Sequence, residues 1–331
     1  MNVPVIAFFN NKGGVGTTSL VYHISWMMSE LGLCVVAVDL DPQGTLSTAF
    51  LDENELESLW PENGNAATIF EAIRPIKEGD GDVAEPRLVR INRGLYLIPG
   101  DLALSSFEDD LSETWARCLG GDQRAFRITS AFWRVLRTGA RQCAADVVLV
   151  DLGPNLGAIN RSAMIASDYL VIPLAPDLFS LQGVCNLGSA LRQWRGDWKK
   201  RLDEVKESTL DLPGGTPRPV GYIVMQRLVR LDRPVTSYDQ WINRIPVDYR
   251  KFILGESNPE GVNVANDPHC FMSLKPYNSL MPMAQEVRKP VFHLKQADGA
   301  LGAYIHAVHG AFADFEKLSR EIANRVGISI P

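Results

Sequence analysis

Residues 8–18 read FFNNKGGVGTT and have the composition of a phosphate-binding loop. The three glycines let several backbone N–H groups converge on one anion, and the N-terminus of a following helix adds the positive end of its dipole. The usual loop ends in Gly-Lys-Ser/Thr, where the lysine neutralises the β- and γ-phosphates and the hydroxyl holds Mg²⁺. Here Thr17 stands at the lysine position and Thr18 keeps the hydroxyl. The run therefore predicts a nucleotide site that lacks the cation such loops normally use.

Two acidic motifs follow short apolar runs, as expected where buried strands end. Asp39 and Asp41 lie in the sequence DLDPQG at 39–44, and Asp151 follows the four apolar residues 147–150. Each aspartate alone could be a cap or turn residue, and the glycine turn alone could be a plain strand-to-helix connection. In a parallel sheet, however, the carboxyl ends of the strands form one rim at which ligands bind. Because all three motifs fall on that rim, we expect one site for phosphate and Mg²⁺, which prefers oxygen ligands.

The elements that must position these motifs alternate between strands and helices. Apolar residues recur at helical spacing from Leu20 to Leu31 after the loop, and Gly32 is a natural helix stop. This alternation implies a three-layer α/β fold with a mostly parallel central sheet covered by helices on both faces. Strands are predicted at residues 3–9, 33–39, 95–98, 146–150, 169–174 and 220–225, with a weaker one at 270–274.

The 331 residues are predicted to form one domain, 1–331, with two irregular segments. Residues 52–90 are polar and rich in Asp, Glu, Gly and Pro, and we expect a surface excursion with one short helix near 69–73. Residues 206–219 contain Pro-Gly-Gly-Thr-Pro and predict a loop rather than a linker between domains. With 46% hydrophobic and 22% charged residues, the composition is that of an ordinary globular protein.

Charge, cysteines and hydropathy narrow the class of protein. The net charge of −6 argues against a protein coated in nucleic acid but leaves room for a local basic patch. Five scattered cysteines without Cys-x-x-Cys, and histidines without zinc spacing, predict no metal site of those kinds. No apolar run reaches the ~18 residues that span a bilayer, and the chain begins directly with a predicted strand rather than a leader. We therefore expect a cytoplasmic protein that does not cross a membrane.

The motifs together resemble the ParA/MinD family of deviant Walker P-loop ATPases, within the SIMIBI class. The segment 12–16, KGGVG, matches the family's signature loop, and 39–44 matches its second motif almost letter for letter. Asp151 matches the Walker B acid. The resemblance implies a Rossmann-like P-loop NTPase fold that binds ATP and Mg²⁺ and dimerises around the nucleotide. Weaker similarities to later family elements lie at 95–99, 166–173, 179–183 and 289–291.

The resemblance suggests a role for each motif residue. Lys12 would reach across a sandwich dimer to the phosphates bound by the partner subunit, although a lysine in a turn can also be simply solvated. Asp41 would orient or activate the attacking water. Thr18 would coordinate Mg²⁺, Asp39 would support the metal's shell, and Asp151 would hold Mg²⁺ through water. The other residues expected to bind nucleotide are Gly13, Gly14, Val15, Gly16 and Thr17 in the loop, with Gln226 and Pro282 near the adenine.

The loop departs from the family pattern at Thr17, which keeps a hydrogen-bond donor but carries no charge. Losing a hydrogen bond to a charged group costs roughly 1.5–3 kcal/mol, or about 10- to 100-fold in affinity. Losing a charge-stabilising group costs on the order of 10²–10³ in rate. We hypothesise that Lys12 of the partner supplies the missing charge, so that nucleotide binding depends on dimerisation. Residues 152–155, LGPN, are a second departure, in the segment that would sense the γ-phosphate.

The surfaces that would contact partners are less specific than the nucleotide motifs. Residues 191–201, basic with interleaved tryptophan, could bind nucleic acid but are more typical of an exposed helix with tryptophan on its inner face. The final helix, 311–326, carries Glu316 and Glu321 and is expected to pack on the domain rather than to bind membrane. The resemblance implies a homodimer with ATP, a partner protein and non-specific DNA as partners. A second basic region contains Arg227, Arg230, Arg233, Arg244, Arg250 and Lys251.

Two functions stay open from the sequence, and a third is disfavoured. The first is an ATP-dependent dimerising switch with weak ATP hydrolysis, of the kind that positions plasmids, chromosomes or protein cargo. The second is a pseudo-ATPase that uses ATP structurally or as a sensor within a larger complex, which the absent lysine favours. A metabolic enzyme on the same scaffold is disfavoured. The scattered cysteines do not support an iron cluster shared between subunits, and a synthetase would need further lysines near the phosphates besides Lys12.

Overall fold

Short apolar runs of the sequence form the strands of a central sheet. The computed structural model describes residues 3–60, 66–205, 210–226, 235–257, 259, 261–277 and 280–331, with the backbone alone for 235–238 and 303. Within these ranges the sheet has eight strands in the order β3-β4-β2-β5-β1-β6-β7-β8, and β3 alone runs antiparallel to its neighbour. The strands are β1 Val5–Phe8, β2 Val35–Asp39, β3 Val89–Asn92, β4 Leu95–Ile98, β5 Val147–Asp151, β6 Tyr169–Leu174, β7 Arg218–Met225 and β8 Cys270–Leu274.

Helices cover both faces of this sheet. The last of them, α12, buries Phe315, Leu318 and Ile322 in the core, as expected for a helix that packs on the domain. No helix in the described ranges is long and apolar enough to cross a membrane. The helices are α1 Thr17–Glu30, α2 Thr45–Phe50, α3 Glu53–Ser58, α4 Ile69–Glu78, α5 Phe107–Arg117, α6 Gln123–Thr129, α7 Ala131–Gln142, α8 Ala158–Ala166, α9 Leu178–Asp203, α10 Val235–Asp248, α11 Met281–Glu286 and α12 Ala303–Val326.

Residues along the central strands alternate between two apolar cores, one on each face of the sheet. In β2, Val36 and Val38 belong to the core formed with α4, α5, α7, α8 and α9. Val35 and Ala37 belong to the opposite core, formed with α1 and α12. A parallel strand that is buried on both faces reads as a continuous apolar run, which is why the sequence identified these strands. The three-layer α/β fold predicted from the sequence is the one observed.

Residues 52–90 hold more regular structure than their composition indicates. Two helices, α3 and α4, lie in this segment where the sequence predicted one. Ile69, Ile73 and Ile76 of α4 are each at most 2% exposed and pack in the core. Their spacing is helical, but Pro75 and the charged residues between them conceal the pattern in the sequence.

The edge strand β3 was not predicted, because only two of its four residues, Val89 and Ile91, turn toward the protein. It pairs antiparallel with β4 through a tight turn in which Gly94 has a φ of 80°. At the other irregular segment, residues 210–217 form neither helix nor strand, and residues 206–209 lie outside the described ranges. Strand β7 begins at Arg218, one residue before the predicted end of that loop.

The basic segment 191–201 lies in α9 and buries its tryptophans. Trp194 and Trp198 are 7% and 0% exposed, and Nε1 of Trp198 donates a hydrogen bond to the Pro213 carbonyl at 2.9 Å. The tryptophans are therefore core residues, which favours the structural interpretation of this segment over base stacking. The basic side chains that stay exposed on this helix are Arg192, Lys199 and Lys200.

Two glycines of α9 differ in how closely other residues approach them. A Cβ at Gly188 would lie 2.1 Å from the Phe252 carbonyl oxygen, whereas a Cβ at Gly196 would meet nothing within 4 Å. We expect Gly188→Ala to lower the free energy of unfolding by about 1–3 kcal/mol through overpacking. Gly196→Ala should raise it by up to about 1 kcal/mol, since alanine is the better helix former. Urea unfolding of both variants measures the difference, and equal effects would contradict the packing described here.

Candidate functional site

The three motifs meet at the C-terminal edge of the sheet because they follow three adjacent strands. Phe8 of β1 pairs in register with Asp151 of β5, and Asp39 of β2 pairs with the same Asp151. The phosphate loop follows β1 and leads directly into α1. Gly14 and Gly16 in this loop have φ angles of 71° and 99°, a conformation that glycine adopts readily and other residues rarely. The glycines are thus needed to turn the backbone N–H groups of the loop toward this edge.

A cleft of about 640 Å³ lies over these motifs. It is lined by Lys12, by the loop residues 13–18 and by Asp41, so the structure brings most of the predicted site residues together. Its size lies in the range usual for clefts that bind small molecules and cofactors. The walls beyond the loop come from α1, α2, α11 and the chain just after α11, and they include Tyr22, His23, Thr45, Thr48, Ala49, Met281, Ala284, Gln285 and Lys289.

Two buried carboxylates lie beside the cleft, and Asp39 and Asp151 are both 0% exposed. Oδ2 of Asp39 accepts hydrogen bonds from the Ser47 amide at 2.8 Å and the Ser47 hydroxyl at 2.7 Å. Its Oδ1 accepts from the Asp41 amide at 3.2 Å. The Thr18 hydroxyl is near Asp151, yet neither carboxylate oxygen of Asp151 has a hydrogen bond of normal geometry to any described residue. Asp39 is therefore held by the protein, whereas Asp151 has its oxygens available.

This donor set fits Mg²⁺ that arrives with phosphate. Nowhere in the described ranges do three His, Cys, Asp or Glu side chains cluster to hold a metal by themselves. Magnesium is commonly bound by one or two carboxylates together with substrate phosphates and water. A buried carboxylate without partners beside the hydroxyl of Thr18 is suited to that mode of binding.

Burial raises the pKa values of both carboxylates. It raises the pKa of Asp39 to about 6. Burial, with the neighbouring Asp39 as a smaller cause, raises the pKa of Asp151 well above its usual value. Metal binding requires a carboxylate that holds the metal to lose its proton, so the affinity for Mg²⁺ should fall as the pH falls.

The same shift predicts a pH dependence of stability. Without metal, folded Asp39 keeps its proton up to about pH 6, whereas the unfolded chain loses it near the ordinary value of 3.8. The folded state therefore binds more protons in this window, and stability falls as the pH rises through it, by roughly 2–3 kcal/mol. Thermal unfolding in EDTA should show a flatter profile between pH 4 and 6 for Asp39→Asn than for wild type. Parallel profiles would contradict the raised pKa.

Lys12 is paired within its own subunit. Its ammonium forms an ion pair with Oδ2 of Asp177, and the two side chains are 20% and 24% exposed. Oδ1 of Asp177 also caps α9 by accepting a hydrogen bond from the Ser180 amide at 3.0 Å. Lys12 is thus fixed at the rim of the cleft rather than freely solvated. Any phosphate that it binds must compete with Asp177 for it.

The segment that follows β5 contacts both the loop and Asp41. Asn160, which is 1% exposed, donates through Nδ2 to the Gly153 carbonyl at 2.6 Å. Asn11 of the phosphate loop donates to the Pro154 carbonyl at 3.1 Å. A Cβ at Gly153 would lie 3.1 Å from Oδ1 of Asp41, so glycine leaves room for that carboxylate. The sequence LGPN, which departs from the family pattern, therefore lies in direct contact with the residues expected to act on nucleotide.

Sequence reasoning missed three polar residues that hold the site. Ser47 fixes Asp39, and Asp177 holds Lys12, as described above. Asn10 is 3% exposed and donates through Nδ2 to the Pro173 carbonyl at 2.6 Å, which ties the loop to β6. The aspartate and serine had no local signal, because each acts on a motif from a different element. Asn10 stands beside the loop motif but resembles any polar turn residue in the sequence.

The residues predicted to lie near the adenine are not brought to the cleft. Gln226 and Pro282 are not among its lining residues, whereas Met281 and Gln285 are. The assignment of Gln226 and Pro282 to the base therefore stays a prediction. The basic residues Arg227, Arg230 and Arg233 of the sequence analysis lie outside the described ranges.

Known proteins resemble this chain in sequence and fold. A family model described as an AAA domain matches residues 3–204. An uncharacterized protein of Methanocaldococcus jannaschii is 28% identical over 259 residues, covering 71% of this chain and 91% of that protein. The chromosome partitioning protein ParA of Caulobacter vibrioides is 27% identical over 200 residues, covering 60% of this chain and 66% of that protein. The McdA protein of Cyanothece, solved as a complex with ATP, has a TM-score of 0.62 at 15% identity, over 99% of this chain and 98% of that one.

A parallel sheet with a glycine loop between its central strand and the first helix defines a P-loop NTPase. Together with these matches, it shows that the chain belongs to the ParA family of P-loop ATPases. The match with the Caulobacter ParA spans slightly less than two thirds of that protein.

Proposed function

We propose that the protein is a cytoplasmic ParA-like switch that binds ATP and Mg²⁺ in the cleft, dimerises around the nucleotide and hydrolyses it weakly. The nucleotide-bound dimer would recruit DNA or a partner protein. The observation that carries this proposal is the convergence of the phosphate loop, Asp41 and the unpartnered carboxylate of Asp151 at one edge of the sheet. The ATP complex of the structurally similar McdA protein supports nucleotide as the ligand.

The proposed roles follow from what each side chain contacts. Loop N–H groups and the N-terminus of α1 would bind the phosphates. Thr18 directly and Asp151 through water would hold Mg²⁺, which would neutralise the phosphate charge. Asp41 is 9% exposed and lines the cleft, where its Oδ1 accepts a hydrogen bond from the Gln43 amide at 3.0 Å. Its carboxylate is fixed by this bond and can orient a water molecule. Asp39 acts indirectly, because it holds the Asp41 backbone.

Exposed apolar residues near the cleft support a protein interface there. Leu178 and Phe179, which are 50% and 73% exposed, immediately follow Asp177, the partner of Lys12. Leu102, which is 74% exposed, follows β4 at the same edge of the sheet. Large apolar side chains exposed together commonly mark sites where proteins associate. The position of Leu178 and Phe179 beside the partner of Lys12 fits a dimer in which Lys12 reaches the partner's nucleotide.

A basic surface away from the cleft supports DNA as a partner. Arg192 of α9 donates to the Phe252 carbonyl at 2.5 Å, which places α9 against the chain that follows α10. Lys251 is exposed beside it, with its ammonium 5.3 Å from the Phe252 ring centroid. Sequence-independent binding to DNA depends on such clusters of Lys and Arg and weakens with salt. The other exposed basic residues on these elements are Lys199, Lys200 and Arg244.

Sedimentation velocity with and without Mg-ATP tests the proposed switch. We expect a monomer without nucleotide and a dimer at saturating Mg-ATP, and the dimer alone should be retained on duplex DNA at low salt. The double variant Arg192→Glu, Lys251→Glu should lose retention on DNA and still dimerise. Lys317→Glu, an exposed position on α12, is the matched control and should behave as wild type. A protein that stays monomeric at saturating Mg-ATP would contradict the proposal.

The pseudo-ATPase is the second candidate, and the uncharged Thr17 in the wall of the cleft favours it. In that case ATP would bind and stabilise a dimer or a larger complex without turnover. The two candidates share the same binding residues and differ in phosphate release alone.

A further inference from the structure

Two of the five cysteines lie side by side at the edge of the sheet opposite the cleft. Cys34 directly precedes β2, and Cys143 follows α7 in the turn that leads to β5. Sγ of Cys34 donates to the Cys143 carbonyl at 3.3 Å, and each thiol is close enough to the other to perturb its pKa. Sγ of Cys143 donates to the Gly139 carbonyl of its own helix at 3.7 Å. Because the two residues are 109 positions apart in the chain, their pairing is invisible in the sequence, where the cysteines look scattered.

The backbone around this pair is already fixed. The Cys34 carbonyl accepts a hydrogen bond from the Asp146 amide at 2.7 Å. In return, the Cys34 amide donates to Oδ2 of Asp146, also at 2.7 Å. The pairing of β2 with β5 therefore fixes the backbone of Cys34 beside the turn that carries Cys143. Both cysteines are partly exposed as free thiols, so a small oxidant can reach them.

We propose that Cys34 and Cys143 form a reversible disulfide when the protein meets a low-molecular-weight disulfide such as oxidised glutathione. The Cys143 thiolate attacks one sulfur of the oxidant, which forms a mixed disulfide and releases one glutathione thiolate. The Cys34 thiolate then attacks Sγ of Cys143 and releases the second. Two protein thiols are oxidised, two glutathione sulfurs are reduced, and the two protons leave on the two glutathione molecules.

The order of these steps follows from the environment of each thiol. Burial raises the pKa of Cys34 to about 12. Burial also raises the pKa of Cys143, but the neighbouring Cys34 thiol opposes that increase. Cys143 is therefore the thiol that ionises more readily and attacks first, since the thiolate is the nucleophile. Intracellular disulfides of this kind are usually transient and sense oxidation.

The cross-link should stabilise the fold without altering the cleft. It closes a loop of more than a hundred residues, which strongly restricts the unfolded chain. Asp39 and Asp41 lie at the far end of β2 from Cys34. We expect the melting temperature of the oxidised protein to rise by about 5–10 °C, with the rise reversed by dithiothreitol and ATP affinity unchanged.

Treatment of the full chain with oxidised glutathione, followed by alkylation and peptide mapping, tests this proposal. Wild type should lose the mass of two hydrogen atoms and yield one cross-linked peptide pair joining Cys34 to Cys143. Cys34→Ser should stop at a glutathione adduct on Cys143, and Cys143→Ser should leave Cys34 largely unmodified. Cys185→Ser, at another partly exposed thiol, should behave as wild type.

Three outcomes would overturn the proposal. The first is a wild type in which both thiols stay free or carry glutathione without the cross-link. The second is a disulfide between other cysteines. The third is a Cys34→Ser variant that gains the same thermal shift on oxidation as wild type, since that shift would then come from elsewhere.

Discussion

A Thr17→Lys variant is expected to bind ATP about 10- to 100-fold more tightly than wild type and to release phosphate on the order of 10²–10³ times faster. Thr17 is the first residue of α1 and lines the cleft. A lysine at this place extends from the position from which other phosphate loops neutralise the β- and γ-phosphates. Titration calorimetry with a non-hydrolysable ATP analogue measures the affinity, and single-turnover phosphate release measures the chemical step.

The matched control is Thr17→Met, which adds length at the same position without charge. It should show neither tighter ATP binding nor faster phosphate release, because an apolar side chain cannot neutralise the phosphate charge. If the lysine and methionine variants bind ATP equally well, the missing charge is not what limits this site. The account of the variant loop would then be wrong.

Lys12→Ala should weaken ATP binding by about 10- to 100-fold and abolish nucleotide-dependent dimerisation. The reason is that the only cation of the loop would be lost, and with it the charge that we expect each subunit to offer the other's phosphates. Sedimentation velocity and calorimetry on the same preparation measure both effects. A Lys12→Ala monomer that binds ATP tightly would contradict the idea that the partner's lysine replaces the one absent at Thr17.

Asp177→Asn is the complementary variant. Asparagine is as good a helix cap as aspartate, so the hydrogen bond to the Ser180 amide that begins α9 can persist while the charge opposite Lys12 is removed. The ion pair is partly exposed, and such pairs contribute at most about 1 kcal/mol. We therefore expect dimerisation at about two- to fivefold lower ATP concentration, in the direction opposite to Lys12→Ala.

The fold could be predicted from the sequence where burial is two-sided. Strands such as β2 and β5 lie between two apolar cores, so every residue before the final aspartate is apolar and the run stands out. The sequence does not predict the edge strand β3, because that strand is half exposed. It predicts only part of helix α4, because Pro75 and charged residues interrupt the apolar pattern. Patterns that depend on one buried face are weaker when neighbouring residues are strongly polar.

The candidate site could be predicted where the residues of one motif lie close together in the sequence. The loop and the acidic motifs each lie within a few residues, and parallel pairing then brings them together, as the register of Asp39 with Asp151 shows. The residues that hold them could not be predicted. Asp177, Ser47 and Asn160 act across elements, and each is an ordinary cap or polar residue in the sequence. The thiol pair at the opposite edge arises in the same way, from strand pairing over a long separation.

Phosphate release at saturating Mg-ATP, with and without duplex DNA, tests the central claim most directly, with wild type and Asp41→Ala side by side. We predict slow turnover in the wild type, faster turnover with DNA, and loss of turnover in Asp41→Ala with ATP binding retained. That result would mean that the cleft is a working ATPase despite Thr17. A wild type without turnover that gains activity as Thr17→Lys would contradict weak hydrolysis and leave the protein as a nucleotide-binding module.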